Sequence, residues 1–230
     1  MRVLISGSSG LIGTELAAQL KTRSHQVERL VRRSRRAQDE VFWNPATGEI
    51  EAEKLEGFDA VVHLAGENLS EGRWTEERKR RIRDSRIKGT ELLSRSLASL
   101  EKRSEVLISA SATGFYGNRG DIVLTEKSAV GSDFLADLCR EWETATRPAA
   151  EAGIRVLNAR FGVILSAKGG ALPRMLTPFK LGLGGKIGDG RQFVSWISLE
   201  DAVNAILFGL EERALAGPVN IVAPEPVTNS

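Results

Sequence analysis

Cysteine is nearly absent from this 230-residue chain: Cys139 stands alone, which excludes an intrachain disulfide and suits a reducing compartment. Histidine is almost as scarce, and His25 and His63 make no cluster with Cys139 at metal-ligand spacing. Charge of one sign is lacking as well. The 32 basic and 30 acidic residues leave a net charge of +2, which gives no reason to expect a nucleic-acid or membrane partner. Long hydrophobic runs are missing; none approaches the roughly 18 to 20 residues that span a bilayer. The first apolar run begins at Val3, directly after Met1-Arg2, so there is no room for a signal peptide. The expectation is a soluble, cytoplasmic protein with one large core, or one core and a small lobe.

What is present is alternation. Short β-branched runs at Val3–Ile5, Val27–Val31, Ala60–Leu64, Val106–Ser109, Ile154–Leu157 and Pro218–Val222 alternate with longer amphipathic stretches. Helices are predicted from about Ile12 to Lys21, Thr75 to Leu100 and Asp133 to Ala152, with another led by Ser198, whose Asp201 three residues on approximates a capping box. This pattern predicts βαβ units, hence an α/β, doubly wound parallel sheet of the Rossmann type. The turn residues Asn44-Pro45 and Thr47-Gly48 mark a small hairpin or strand excursion over Phe42–Ile50. Seven glycines between Gly169 and Gly190, with Pro173 and Pro178, indicate a mobile region lining a site. The expected organisation is a dinucleotide-binding core over 1–165 and a substrate-side segment over 166–230. The basic run Arg78–Arg81 is interleaved with Glu76, Glu77, Asp84 and Glu91 and reads mostly as a solvated helix face.

The first strand runs directly into Gly7-Ser8-Ser9-Gly10-Leu11-Ile12-Gly13 and then a helix. In that context the first glycine permits a sharp turn, the second admits a pyrophosphate to the backbone, and the third lets helix and sheet pack closely. The helix amino terminus supplies free N–H groups, and Ser8 and Ser9 add hydroxyls. The second strand decides which dinucleotide. Where an NAD site carries an acidic residue for the ribose 2′-OH, this strand ends in Arg32-Arg33-Ser34-Arg35-Arg36, and Glu28 lies too early. Arg32 and Arg33 are placed to clamp a 2′-phosphate, so the expected cofactor is NADP. The alternative is an ordinary basic loop, since four arginines cannot all reach one phosphate.

With Asp59–Gly66 (Asp-Ala-Val-Val-His-Leu-Ala-Gly), Ser109–Gly117 (Ser-Ala-Ser-Ala-Thr-Gly-Phe-Tyr-Gly) and Arg160-Phe161-Gly162, the glycine turn resembles the extended and atypical short-chain dehydrogenases/reductases. More narrowly the chain resembles the YfcH-like "epimerase family" of NAD(P)-binding proteins, some of them labelled cell-division inhibitors. The residues that carry this are Gly66–Leu69, Arg73–Thr75, Ser85–Thr90, Trp142-Glu143, Gly184–Gly190 and Ser195–Ile197. The resemblance implies that Leu64, Ala65 and Gly66 follow the cofactor and that Arg86 approaches it, with Arg81 one turn earlier. It also implies that the segment 224–229 leads into a further helix and a lobe closing the substrate cleft. The C-terminal lobe is therefore expected to be small and incomplete, as in a truncated product.

Short-chain dehydrogenases pair Tyr-x-x-x-Lys on the helix after the fifth strand, the lysine favouring the tyrosine's ionised form and holding the ribose. Here Phe134 and Leu138 take those places, and the single tyrosine, Tyr116, has Gly120 four residues on. The remaining candidates for catalysis are Ser111, which aligns with the family's serine, and Tyr116; Ser109 and Thr113 share that strand end. Serines that merely cap a strand and a tyrosine packed in a loop are the competing reading. Glu67 and Asn68 are either ribose ligands or loop-stabilising groups, and His63 reads as a hydrogen-bonded structural histidine. The substrate side suggests an oxidoreductase or epimerase-like enzyme acting on a small polar or sugar-nucleotide-like molecule. The alternative is an inactive NADP(H)-binding sensor working through a protein partner, with a homodimer left open.

Overall fold

The apolar run at Val3–Ile5 becomes the centre of a sheet. In the computed structural model, which describes residues 1–69, 72–186 and 188–229, β1 (Arg2–Ser6) turns into α1 (Leu11–Thr22) and returns as β2 (Gln26–Val31), parallel beside it. Ile187 of the second glycine motif and Ser230 lie outside the described residues. β3 (Glu40–Asn44) pairs parallel with β2 and folds back into β4 (Glu49–Ile50). The hairpin expected near Phe42–Ile50 therefore exists, with its first strand built into the main sheet.

The chain then crosses to the other side of β1. β5 (Ala60–His63) lies parallel to it, and α2 (Glu76–Ala98) begins at Thr75, whose side chain accepts the Arg78 N–H. β6 (Val106–Ala112) is followed by α3 (Phe134–Thr144), capped by Asp133, and by the short α4 (Arg147–Glu151). One helix was expected across this stretch. Pro148 explains the break: it lacks an N–H, and its ring would collide with the carbonyl four residues back if the helix ran through.

β7 (Arg155–Phe161) and β8 (Val163–Leu165) precede α5 (Ala171–Lys180), a helix within the glycine-rich stretch that spacing alone reads as irregular. Its ten residues contain no glycine; Gly170 and Gly182, at φ +78° and +70°, bound it instead. β9 (Phe193–Val194), β10 (Trp196–Ser198), α6 (Leu199–Glu211), β11 (Gly217–Ile221) and β12 (Val227–Thr228) complete the chain. Ser198 caps α6: its hydroxyl accepts the Asp201 N–H at 2.9 Å and donates to the Asp201 carboxylate at 2.8 Å.

The eight-stranded sheet has the order β11-β7-β6-β5-β1-β2-β3-β4 and is parallel except at β4. Small pairs β10-β8 and β12-β9 sit apart from it. One face buries Val3, Ile5, Leu16, Leu20 and Val62 against α1 and α6; the other buries Leu4, Trp43, Val61, Leu93 and Leu97 beneath α2 and α4. Because both faces are covered, the strands read as continuous apolar runs rather than alternating ones. No helix among the described residues is long and apolar enough to cross a membrane. The strand order reverses between β1 and β5, so the loops after those two strands part and leave a crevice at their carboxyl ends.

Candidate functional site

The crevice is formed by backbone that tolerates no side chains. Gly7 sits at φ +68°, and a Cβ on it would meet the Leu64 carbonyl carbon at 2.7 Å. A Cβ on Gly13 would overlap the Gly7 carbonyl oxygen and come within 2.8 Å of Ser8 Cα; on Gly10 it would lie 3.2 Å from that same oxygen. Gly10 is the N-cap of α1 and no side chain caps the helix there. The first-turn N–H groups are consequently left for an anion, with the positive end of the helix dipole behind them.

The opposite wall is pinned from beneath. Ser6 Oγ accepts the N–H groups of Leu64 at 3.1 Å and Ala65 at 3.3 Å, so its own hydrogen goes to His63 Nδ1 at 2.6 Å. His63 is then the Nε2–H tautomer and donates to Thr90 Oγ1 at 3.0 Å, which also accepts Trp142 Nε1–H at 2.9 Å. The chain of bonds ties β1, β5, α2 and α3 together, with Trp43 edge-on to the imidazole. His63 is thus the structural histidine its position suggests.

Burial lowers the His63 pKa to about 4, against an ordinary value of 6.5. Between those values the unfolded chain binds a proton that the folded chain refuses, so stability is full above about pH 6.5 and declines as pH falls toward 4. Urea titrations should show on the order of 3 kcal/mol lost between pH 7 and pH 4. His63→Gln should flatten that acid limb; an unchanged slope contradicts the assignment. The Glu40 carboxylate, held at about 2 against an ordinary 4.5, adds a second loss that sets in as pH falls through about 4.5 and is complete below about 2.

A groove of about 770 Å³ runs from the glycine turn over β2 and along α2. This falls within the range of small-molecule and cofactor sites. At one end the structure divides the two arginines of the second strand. Arg33 grips the buried Glu40 with both terminal nitrogens, at 2.5 and 2.9 Å, and the Arg36 N–H also points at that carboxylate. Those bonds, the Arg33 guanidinium first, hold the Glu40 carboxyl down to about 2. Arg35 faces Glu51 at 3.6 Å, outside the groove. The Arg32 guanidinium has no partner among the described residues and lines the groove. Glu28 is bound to Arg2 at 2.8 Å, away from this end.

At the other end Leu64, Ala65, Gly66 and Glu67 form the rim, with Ser85 donated to by the Glu67 N–H. Arg78 bonds Glu67 Oε1 at 2.8 Å and the Asn68 carbonyl, which fixes the loop; Arg81 stands 3.8 Å from the same carboxylate. Arg86 lies beneath Gly66, where an added Cβ would come within 3.2 Å of its guanidinium carbon. It is 7% exposed, reaches the Ile82 carbonyl at 3.3 Å, and burial pulls its pKa down.

Ser111 and Tyr116 sit in a different environment. Ser111 Oγ donates to Glu143 at 2.7 Å, and Arg160 grips both oxygens of that carboxylate at 2.7 and 2.8 Å. The Tyr116 hydroxyl donates to Asn220 at 2.6 Å and accepts from Arg160 at 2.9 Å, while the Arg160 guanidinium stacks 3.5 Å above the Phe115 ring. Both side chains are buried, and neither lines the groove. Ser109 is fully buried and its hydroxyl has no partner among the described residues. Sequence reasoning passed over Ser6, Glu40 and the Arg160–Glu143 pair. Trp142-Glu143 and Arg160-Phe161-Gly162 were visible as motifs, but nothing in their spacing joins them.

A doubly wound sheet with a side-chain-free cradle at its switch point defines a dinucleotide-binding domain. A family model described as the NAD dependent epimerase/dehydratase family matches residues 3–222. The chain belongs to that family. It is 50% identical over 228 residues to an Epimerase family protein of Mycobacterium bovis, covering 99% of this chain and 75% of that one. Among solved structures, human epimerase family protein SDR39U1 with NADPH superposes with a TM-score of 0.89 at 34% identity, over 100% of this chain and 76% of that one. A nucleoside-diphosphate sugar epimerase from Corynebacterium glutamicum gives 0.88 at 43% identity; this chain is fully covered but spans 48% of that longer one.

Proposed function

We propose that the protein binds NADP(H) in the groove and works as an oxidoreductase or epimerase-like enzyme on a small polar or sugar-nucleotide-like substrate. The observation that carries the cofactor is the free Arg32 guanidinium beside a cradle that any side chain would fill. The residues fit the dinucleotide: the turn Gly7–Gly13 and the α1 amino terminus would hold the pyrophosphate. Arg32 would hold the 2′-phosphate, with Arg33 at its side, and Leu64–Gly66 would follow the riboses. Support also comes from the human relative solved with NADPH and from the sugar epimerase resemblance of the Corynebacterium protein. When bound, the nicotinamide gives a hydride to a substrate carbon or takes one from it.

A sensor that binds NADP(H) without turnover is the second reading. It is favoured by the apolar Phe134 and Leu138 at the places of the usual tyrosine and lysine, and by a Tyr116 hydroxyl already engaged by Asn220 and Arg160. Fluorescence titration of NADPH and NADH tests the shared core of both readings. We expect NADPH to bind at least about tenfold more tightly, the equivalent of one charge-assisted contact; equal affinities contradict it.

A further inference from the structure

Four arginines flank one serine in the loop after β2, and the structure sorts them into two kinds. Arg33 is committed to Glu40 and Arg35 faces Glu51, whereas the guanidinium groups of Arg32 and Arg36 have no partner among the described residues. Arg32 lines the groove, where the 2′-phosphate accounts for it. Arg36 does not line the groove, so the cofactor leaves it unexplained.

Ser34 lies midway between these two, with one free arginine two residues before it and the other two residues after. It is exposed, it sits in irregular backbone, and its hydroxyl has no partner among the described residues. The loop is held in this shape from beneath. The buried Glu40 carboxylate takes the Arg33 guanidinium on one side of Ser34 and the Arg36 N–H, at 2.7 Å, on the other. Arg33 also donates to the Ser34 carbonyl at 3.0 Å. Ser34 therefore stands between two anchors on one carboxylate, open to solvent. A serine presented in this way, with free positive charge on both sides, fits the acidic substrate groove of an arginine-directed serine kinase.

We propose that Ser34 is a phosphorylation site whose phosphate occupies Arg32 in place of the 2′-phosphate of NADP(H), turning the groove from NADP(H) toward NAD(H). The proposal rests on the NADP(H) reading above. In the transfer the Ser34 Oγ–H bond breaks and an Oγ–P bond forms to the γ-phosphorus of ATP. The bond from that phosphorus to the β–γ bridging oxygen breaks, ADP leaves, and the hydroxyl proton passes to the kinase's base. The product is a phosphate monoester, the same chemical class as the 2′-phosphate, with about two negative charges. Cα atoms two residues apart lie no more than about 7 Å from each other. Arginine side chains reach across that span, so Arg32 and Arg36 can close on the phosphate from both sides. Because it is tethered, this phosphate competes for Arg32 without dissociating. NADPH then meets a like charge where it had a cation. NADH brings no phosphate to this end, and its ribose 2′-OH can donate to the phosphoserine as it does to the acidic residue of an NAD site.

The test uses the catalytic fragment of protein kinase C with magnesium ATP as the phosphorylating probe, and peptide mass spectrometry to place the phosphate. Phosphate should enter at Ser34 and be absent from that peptide in Ser34→Ala, which should bind NADPH as the unsubstituted protein does. By cofactor fluorescence, the phosphorylated protein should bind NADPH at least about 30-fold more weakly and NADH within about threefold of the unmodified protein. NADPH at about ten times its Kd should in turn slow the labelling of Ser34 about tenfold. NADH at the same multiple of its own Kd should leave the labelling rate unchanged, as should NADPH with a basic peptide as the kinase substrate. No phosphate at Ser34 overturns the proposal, as does a phosphorylated Ser34 that leaves NADPH affinity within about threefold or weakens both dinucleotides equally. Failure of the unmodified protein to bind NADPH instead overturns the function reading, and this proposal with it.

Discussion

Arg32→Ala should weaken NADPH binding by about 10- to 100-fold and leave NADH binding within a factor of about two. The two dinucleotides differ by one phosphate, and Arg32 is the cation at that end of the groove with no protein partner among the described residues. Its side chain is exposed in the free protein, so its removal leaves no buried group unsatisfied and the effect reports the ligand contact alone. Arg33→Ala should behave differently. That guanidinium is already committed to Glu40, whose pKa near 2 keeps the carboxylate charged at any working pH. Removing Arg33 strips a buried carboxylate of its partner and loosens the β2–β3 connection, so both dinucleotides should suffer. Equal losses for NADPH and NADH in Arg32→Ala contradict the assignment of the 2′-phosphate to that residue.

Glu143→Ala should destabilise the fold by about 3 to 5 kcal/mol, a fall in Tm on the order of 10 °C for a chain of this size. Arg160 is 3% exposed, and its guanidinium would be left with the Tyr116 hydroxyl and the Phe115 ring in place of a carboxylate held at two points. Ser111 would lose its acceptor in the same step. The loss follows from leaving a charge buried and unpaired, so Glu143→Gln, which keeps the shape and one acceptor, should cost less. A loss below about 1 kcal/mol would mean that water reaches Arg160 once the carboxylate is gone.

How much of this was legible beforehand depends on the distance over which each feature is made. β1, the glycine turn and α1 are contiguous, so the reasons for Gly7, Gly10 and Gly13 could be read from residues a few positions apart, and the structure supplies the backbone atoms that each Cβ would strike. The break between α3 and α4 was equally readable from Pro148 and was missed because amphipathic periodicity continues across it. Arg32 and Arg33 look equivalent in the sequence. They are separated only when β3 comes to lie beside β2 and brings Glu40 to one of them. Tyr116 could not be placed at all, since the residue that accepts its hydrogen bond, Asn220, is 104 positions away on β11.

The central claim is that the groove holds the 2′-phosphate of NADP(H), and phosphorus NMR of the bound cofactor tests it most directly. A free phosphate monoester takes up a proton near pH 6. Gripped by Arg32, the 2′-phosphate signal should shift on binding and remain that of the dianion well below pH 6, and Arg32→Ala should restore the ordinary titration. A 2′-phosphate that still titrates near pH 6 while the pyrophosphate signals alone respond to binding would contradict the account.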